Sequence, residues 1–406
     1  MFDELNVNKI FLNDLSNLIK FEIWGNGKMN IGIIGAGNIG TYLATYISTK
    51  SNHKVWIHTS KPQSFKENLL LIEEEKNLKH TVKLNCVTSS IEEVVKNSEL
   101  ILITHPSFMM EKTLNEILKY VNSNTIIGAI PGFGGKEFFI DELLNKNCIF
   151  FGSQRVPSIT RLESYGECVV LKQRNEFMKL SVIPKKYSKT VCDTMTSLID
   201  INCYPLDNYL SITLSPSNPT MHPSRLYELF KNYKDGITYD KNPLFYEEWG
   251  DFASKTLLDL DEELKEIFLS LNEFNDFEAE DFEKIKTRYK IETPNELTNK
   301  IRTAPGFKDI RTPMIKINDS YIPDLKSRYF IEDIQFGLCI IKAFAEICNI
   351  PTKTVDKVIY WAQNLLNKEY LINGKLKGKD VIELVIPQTK GINTKESLIK
   401  YYKSLI

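Results

Sequence analysis

The chain has 406 residues, 42% of them apolar and 25% charged, enough for roughly two or three domains of about 150 residues each. That balance excludes a disulfide miniprotein, a collagen-like or coiled-coil rod and gross disorder. The 51 Lys and Arg residues nearly cancel the 52 Asp and Glu residues, leaving a formal charge of -1, so there is no global field to hold a polyanion and nucleic acid is not an expected partner.

In chain order, Met1-Phe-Asp-Glu-Leu-Asn-Val-Asn is acidic and polar, without the basic start, apolar run and small-residue cleavage site of a secretory signal. Residues 1–28 form an N-terminal extension. It is either an appended segment with a helix over 13–21 ahead of an internal methionine, or sequence upstream of a start at Met29, and both readings stay open. The longest apolar runs, such as Ile31-Gly-Ile-Ile and Ile126-Ile-Gly-Ala-Ile, are strand-sized and far short of the roughly 18 residues of a membrane span. No membrane association is expected. The seven cysteines are odd in number, scattered and without a C-x-x-C pair, which fits buried thiols in a cytoplasmic protein.

From Met29 to Val182 short apolar runs alternate with helix-competent segments, the rhythm of a parallel sheet with crossover helices. Strands are expected at Met29-Asn-Ile-Gly-Ile-Ile, Lys54-Val-Trp-Ile-His, Glu99-Leu-Ile-Leu-Ile-Thr, Thr125-Ile-Ile-Gly-Ala-Ile and Cys148-Ile-Phe-Phe. After Pro184-Lys-Lys the pattern changes to long helices over Ser188 to Ile199, Leu244 to Leu271, Ile331 to Cys348 and Val355 to Leu366. A domain boundary is placed near residue 186. The acidic stretch from Glu247 to Glu283 is interrupted by aromatic and Leu residues at helical intervals and reads as the solvated face of a helix pair.

Gly35-Ala-Gly37-Asn38-Ile39-Gly40 matches G-x-G-x-x-G directly after a strand and at the start of a helix, where a dinucleotide fingerprint must lie. The first glycine serves the tight turn, the second lets the pyrophosphate approach the backbone, and Gly40 lets helix pack on sheet. The helix N-terminus meanwhile offers unpaired N–H groups to the anion. A glycine turn that only packs helix on strand, and a flavin site, are the alternatives. About 20 residues further on an acidic side chain would select NAD, but the chain reads Ile57-His58-Thr59-Ser60-Lys61. Two hydroxyls and a cation suit a 2′-phosphate, so NADP is preferred over NAD. An ordinary polar turn is the competing reading. His105, in Thr104-His105-Pro106 at a strand end, and the loop Pro131-Gly-Phe-Gly-Gly135 lie where ligands bind such sheets. His105 is taken as a cofactor contact, catalysis by it is not expected, and a satisfied turn histidine is the alternative.

In the helical half, Ser217-Asn-Pro-Thr-Met-His222-Pro-Ser-Arg holds the one histidine beyond residue 105, bracketed by Pro219 and Pro223. Two fixed φ angles are expected to hold His222 in a stiff extended segment, with Pro223 opening a helix through Tyr227 and Phe230. A helix N-terminus disfavours imidazolium and a nearby carboxylate favours it, which together would poise the ring for proton transfer. The carboxylate is sought in Arg328-Tyr-Phe-Ile-Glu332-Asp333-Ile-Gln-Phe-Gly337-Leu. Asp333 borders an apolar stripe of Ile331, Ile334, Leu338 and Ile341, and Arg328 could clamp a substrate carboxylate in bidentate fashion. Against that, Arg328 and Glu332 are spaced as a surface i,i+4 pair worth a few tenths of a kcal/mol. No metal site is expected.

With these residues in view, the chain resembles the octopine/nopaline (opine) dehydrogenase family from Met29 to the helices after residue 350. The features that carry this are the glycine fingerprint, the Pro131-Gly-Phe-Gly-Gly loop, Asn218-Pro-Thr-Met-His222-Pro, and Arg328-Tyr-Phe-Ile-Glu-Asp333 followed by Gly337-Leu338. Gln335 departs from the proline expected in many relatives. The resemblance implies an α/β N-terminal Rossmann (dinucleotide-binding) domain over 29–186 and an all-α C-terminal substrate domain over 187–406. It further implies that His222 paired with Asp333 does acid/base work and that Arg328 grips a carboxylate. The implied reaction is a reductive condensation: an amino acid's amine attacks a 2-oxo acid such as pyruvate, water leaves, and hydride reduces the imine.

Two other functions remain on the table. One is an NAD(P)-dependent 2-hydroxy-acid or sugar-acid reductase on the same two-domain plan, and the other is a non-catalytic dinucleotide sensor. The expected partners are small-molecule substrates, an amino acid and a 2-oxo acid, together with a second copy of the chain in a homodimer.

Overall fold

The computed structural model describes residues 27–50, 52–272, 282 and 284–405. The expected helix at 13–21 and the end of the acidic stretch lie outside the described residues. The chain divides into two compact units: one of residues 1–105, 115–131 and 142–205, the other of 106–114, 132–141 and 206–406. Among the described residues no helix is long and apolar enough to cross a membrane.

The first unit is built on β1 (Asn30–Ile34), β2 (Lys54–His58), β3 (Leu69–Glu73), β4 (Leu78–Val82), β5 (Cys86–Thr88), β6 (Leu100–Ile103), β7 (Ile126–Ala129), β8 (Ile149–Ser153), β9 (Ser158–Ser164), β10 (Cys168–Arg174), β11 (Phe177–Ile183) and β12 (Asn202–Pro205). Eight strands form one sheet in the order β12-β11-β8-β7-β6-β1-β2-β5. Neighbours are parallel except β11 against β8. Ile31, Ile33 and Ile34 of β1 are fully buried, as expected of a strand covered on both faces, which reads as an unbroken apolar run. Register aligns Ile34 with His58 and Ile103, and Ile103 with Ala129. The glycine turn, Thr59, Thr104-His105 and the end of β7 therefore emerge along one edge.

Two expectations for this half need correction. A second sheet, β4-β3-β10-β9, stands beside the first. The simple alternation hid it because β3 pairs in parallel with β10, a partner far along the chain. The division also falls after Pro205 instead of near residue 186. The helix Ser188–Ile199 buries Val191, Met195, Leu198 and Ile199 in the core of the first unit, and β12 then adds to its sheet.

The second unit is mainly helical, with short hairpins at Met314–Ile317/Ser320–Pro323 and Leu371–Ile372/Lys375–Leu376. Its core gathers Leu226 and Phe230 of helix Asn218–Phe230, Ala253 and Leu257 of helix Asp251–Asn272, Leu297 and Ile301 of helix Pro294–Thr303, and Phe245, Trp249 and Phe330. The histidine segment departs from expectation. The helix begins at Asn218 with Pro219 in its first turn, so Pro223 is interior and His222 is helical, not extended. A proline in the first turn displaces no hydrogen bond, and that lets the earlier proline open the helix. His222 thus sits beyond the first turn, where the helix dipole has faded.

Arg328–Asp333 is one short helix, followed by a wide π turn at Ile334–Leu338 and then by helix Cys339–Cys348. Gly337 lies in that wide turn, and a Cβ there would stand 2.4 Å from Cβ of Pro219. Glycine permits the close approach of the two segments that carry Asp333 and His222.

The same unit buries an acid, Glu137, that carries no local sequence signal of burial. Glu137 is fully buried and its Oε1 accepts from Thr213 Oγ1 at 2.5 Å and Tyr402 OH at 2.7 Å, while Oε2 finds no donor among the described residues. Burial pushes its pKa up to about 7 from an ordinary 4.5. A folded-state pKa above the unfolded one means the folded state holds the extra proton, so stability falls as pH rises from about 4.5 through 7. Thermal melts at pH 5 and pH 8 should show that loss in the parent protein. The loss should be much reduced in Glu137→Gln, whose Oε1 keeps both donors, and equal slopes in the two proteins would refute the assignment.

Candidate functional site

At the end of β1 the chain turns on Gly35, at φ +108°, a backbone conformation that favours glycine. Thr104 Oγ1 donates to the Gly35 carbonyl at 3.1 Å, and a Cβ on Gly35 would come within 2.9 Å of the His105 ring. A Cβ on Gly40 would lie 1.8 Å from the Gly35 carbonyl oxygen, whereas one on Gly37 would meet nothing within 4 Å. Helix Asn38–Ser48 starts without a side-chain cap, so the amides of its first turn carry their partial positive charge toward the face left open at Gly37. The residues fit a dinucleotide pyrophosphate.

The other expected contacts sort by their surroundings. The Asn38 side chain accepts from the Leu162 amide at 2.8 Å and Ile39 packs into the core, so these two would serve a cofactor through their backbone. Thr59 is buried and its hydroxyl is shared with Tyr165 OH at 2.5 Å and the Lys61 amide at 3.2 Å. Ser60 and Lys61 are exposed. The His105 ring meets His58 edge to face, with centroids 6.2 Å apart.

In the second unit His222, Asp333 and Arg328 come together. His222 is 4% exposed and Asp333 likewise, with His222 Nδ1 2.7 Å from Asp333 Oδ2. Burial raises the Asp333 pKa, and the His222 ring beside it works against that rise. His222 Nε2 lies 2.9 Å from Tyr246 OH. Tyr329 stacks on the imidazole at 3.8 Å between centroids and 12° between planes, and Phe245 meets it edge-on at 5.6 Å. The ring is held on both nitrogens and two sides.

Arg328 makes the i,i+4 pair that its spacing allows, but it is not a pair of two surface groups. Its Nε and Nη2 donate to Glu332 Oε2 at 2.7 and 2.6 Å, and the Glu332 side chain is 5% exposed while that of Arg328 is 58% exposed. Glu332 Oε1 accepts from the Ser107 amide at 2.7 Å. Lys136 is 1% exposed, and burial lowers its pKa to about 8 against the pull of Glu332. A buried carboxylate with cations on hand thus fixes an exposed guanidinium, an arrangement suited to orienting an anion.

Tyr246, Tyr329, Glu332 and Lys136 were not among the residues selected from sequence. Glu332 was visible as the neighbour of Asp333, and the other three gave no local signal. Gln335, the departure noted above, lies in the wide turn and donates to the Glu383 carbonyl at 3.0 Å.

A family model described as NAD/NADP octopine/nopaline dehydrogenase, alpha-helical domain, matches residues 205–366, the stretch that carries His222, Tyr246, Arg328 and Asp333. Residues 205–366 thus carry the helical domain of octopine/nopaline dehydrogenases. A second model, described as ketopantoate reductase PanE/ApbA, matches residues 31–161 and so the glycine-turn half.

Tauropine dehydrogenase of Arabella iricolor is 29% identical over 399 residues, covering 90% of this chain and 99% of its own. Opine dehydrogenase of Haliotis discus hannai is 28% identical and covers 78% of this chain and 82% of its own. A solved structure of octopine dehydrogenase in complex with NADH and agmatine superposes with a TM-score of 0.79 at 23% identity, over 91% of this chain and 97% of that one. The likeness to that structure establishes that this chain shares its fold.

Proposed function

We propose that the chain is an NAD(P)H-dependent dehydrogenase acting on CH–NH bonds, which condenses the amine of an amino acid with a 2-oxo acid such as pyruvate to an N-(carboxyalkyl)amino acid. The observation that carries this is the buried His222–Asp333 pair, 2.7 Å apart, one helical turn from an anchored arginine, in a helical half that matches octopine/nopaline dehydrogenases.

A carboxylate only accepts hydrogen bonds, so His222 Nδ1 carries its hydrogen toward Asp333 and Nε2 keeps a basic lone pair. Asp333 thereby fixes the tautomer and balances the imidazolium as it forms. Arg328, steadied by Glu332, orients the oxo-acid carboxylate so that the ketone carbon meets the amine. The glycine-turn residues would hold a reduced nicotinamide cofactor, whose chemistry would be to supply hydride. Free thiols at all seven cysteines support a reducing, cytoplasmic setting.

The test follows oxidation of NADPH and NADH with pyruvate or 2-oxoglutarate, with and without a panel of amino acids. Oxidation that requires the amine supports condensation. Oxidation with the oxo acid alone would instead make the enzyme a hydroxy-acid reductase, and cofactor binding without turnover would make it a sensor.

NADP is the preferred cofactor in this proposal. The Ile57–Lys61 stretch has no carboxylate, and Lys61 is an exposed cation next to the exposed Ser60 hydroxyl. Lys61→Glu is expected to lower the ratio of kcat/KM for NADPH over NADH by about tenfold or more, a difference of about 1.4 kcal/mol. An unchanged ratio would remove Lys61 from the cofactor site.

A further inference from the structure

The geometry points to Tyr246 as a further catalytic residue, the hydroxyl through which His222 exchanges protons with the substrate. This inference rests on the condensation proposed above. His222 is almost wholly buried. Asp333 takes one ring nitrogen, Tyr329 covers a face and Phe245 an edge. The remaining nitrogen, Nε2, does the chemistry in the neutral tautomer, yet at 2.9 Å it already meets the Tyr246 hydroxyl. With Nδ1–H directed at Asp333, Tyr246 O–H donates to Nε2. When the ring is protonated the bond reverses, so that Nε2–H donates to the phenol oxygen and the phenol proton turns toward the substrate. A phenol beside an imidazole is therefore a two-way proton carrier.

Tyr246 is also held rigidly enough for the task. Its ring stacks on Phe307 at 4.1 Å and 14°, meets Phe245 edge-on at 4.9 Å, and lies parallel to Trp249 at 6.2 Å. An aromatic clamp of this kind restricts the ring to one orientation.

The proton count closes. The incoming ammonium gives one proton through the hydroxyl to Nε2, which frees the nitrogen lone pair. That pair forms the N–C bond as the carbonyl π electrons move to oxygen, and a second nitrogen proton passes to the oxyanion. Tyr246 then donates its proton to the carbinolamine hydroxyl while Nε2–H restores the phenol. The C–O bond breaks with its electron pair leaving in water, and the remaining nitrogen lone pair forms C=N, ready for hydride.

The experiment compares wild type with Tyr246→Phe, which keeps the stacked ring and loses only the hydroxyl. It reads kcat, the KM of each substrate, and the isotope effect from reduced cofactor deuterated at the transferring position. Expected is a fall of kcat of about 10²–10³-fold with KM values within a fewfold. The isotope effect should shrink toward one, because dehydration and not hydride transfer becomes limiting. Tyr246→Phe with wild-type turnover overturns the relay alone, and so does low turnover with an undiminished isotope effect. A wild type without amine-dependent turnover in the same assay overturns the condensation and the relay with it.

Should Tyr246→Phe fail to fold, fluorotyrosine at position 246 keeps the hydroxyl and makes it more acidic. A relay predicts a pH–rate profile displaced toward acid, and an unmoved profile refutes it.

Discussion

His222→Ala should lower turnover by about 10²–10⁴-fold, the usual range for losing a general acid–base group, which is about 3–5 kcal/mol of barrier. Only a proton-transferring role makes the effect this large, because the site keeps its arginine and the first unit keeps its glycine turn. The KM for the oxo acid should therefore move little, and cofactor affinity, read by quenching of protein fluorescence, should be unchanged. The same change carries a structural signature. Asp333 is 4% exposed and loses the ring that offset its desolvation, so a carboxylate is left buried without its hydrogen-bond donor, a loss of about 1–3 kcal/mol or more. The variant should melt lower than the parent at neutral pH and recover part of the difference as acid protonates Asp333, whose pKa lies above its ordinary value. Turnover within a fewfold of wild type would end the acid–base assignment.

Gly40→Ala is the other large effect. Its Cβ would stand 1.8 Å from the Gly35 carbonyl oxygen and 2.9 Å from the Gly35 carbonyl carbon. Both are backbone atoms, so no rotamer relieves the clash. Either helix Asn38–Ser48 lifts off the sheet or the turn opens, and overpacking of this order costs about 1–3 kcal/mol or more. Cofactor affinity is expected to fall by at least about 100-fold, together with a lower melting temperature. Gly37→Ala is the matched comparison. Its Cβ meets nothing within 4 Å, so the fold should melt as before, while the added methyl stands where the pyrophosphate has to approach. Loss of affinity in both, with loss of stability only in Gly40→Ala, separates the packing glycine from the ligand glycine. Full cofactor affinity in Gly37→Ala would move the pyrophosphate elsewhere.

The glycine turn was legible because all its determinants are local: a strand, three glycines at fixed spacing and a helix start. The pairing of His222 with Asp333 spans 111 positions; the apolar stripe beside Asp333 pointed to a buried acid, and the family's motifs implied its pairing with His222. Tyr246 was not anticipated. Phe245-Tyr-Glu-Glu-Trp looks like any amphipathic stretch, and what distinguishes the tyrosine is an imidazole brought to it by the fold. Lys136 and Glu137 failed in the opposite way, since two charges after a glycine pair look like an exposed turn, and both are buried. Pro223 misled because two prolines four apart offer two helix starts, and the earlier one opens the helix. The second sheet escaped because β3 and β10 are joined by a pairing no short window of sequence contains.

The second unit takes residues 106–114 and 132–141 from the early part of the chain and the rest from Leu206 onward, and Glu137 joins the two parts by accepting from Thr213 and Tyr402. On the ribosome, Glu137 emerges long before Tyr402. Until helix Lys395–Ser404 arrives it is an ordinary hydrated, ionised carboxylate, and enclosing it draws a proton from solvent near neutral pH. Closure of this pocket therefore waits for helix Lys395–Ser404, and a fragment starting at Leu206 would leave Thr213 and Tyr402 facing an acceptor that never comes.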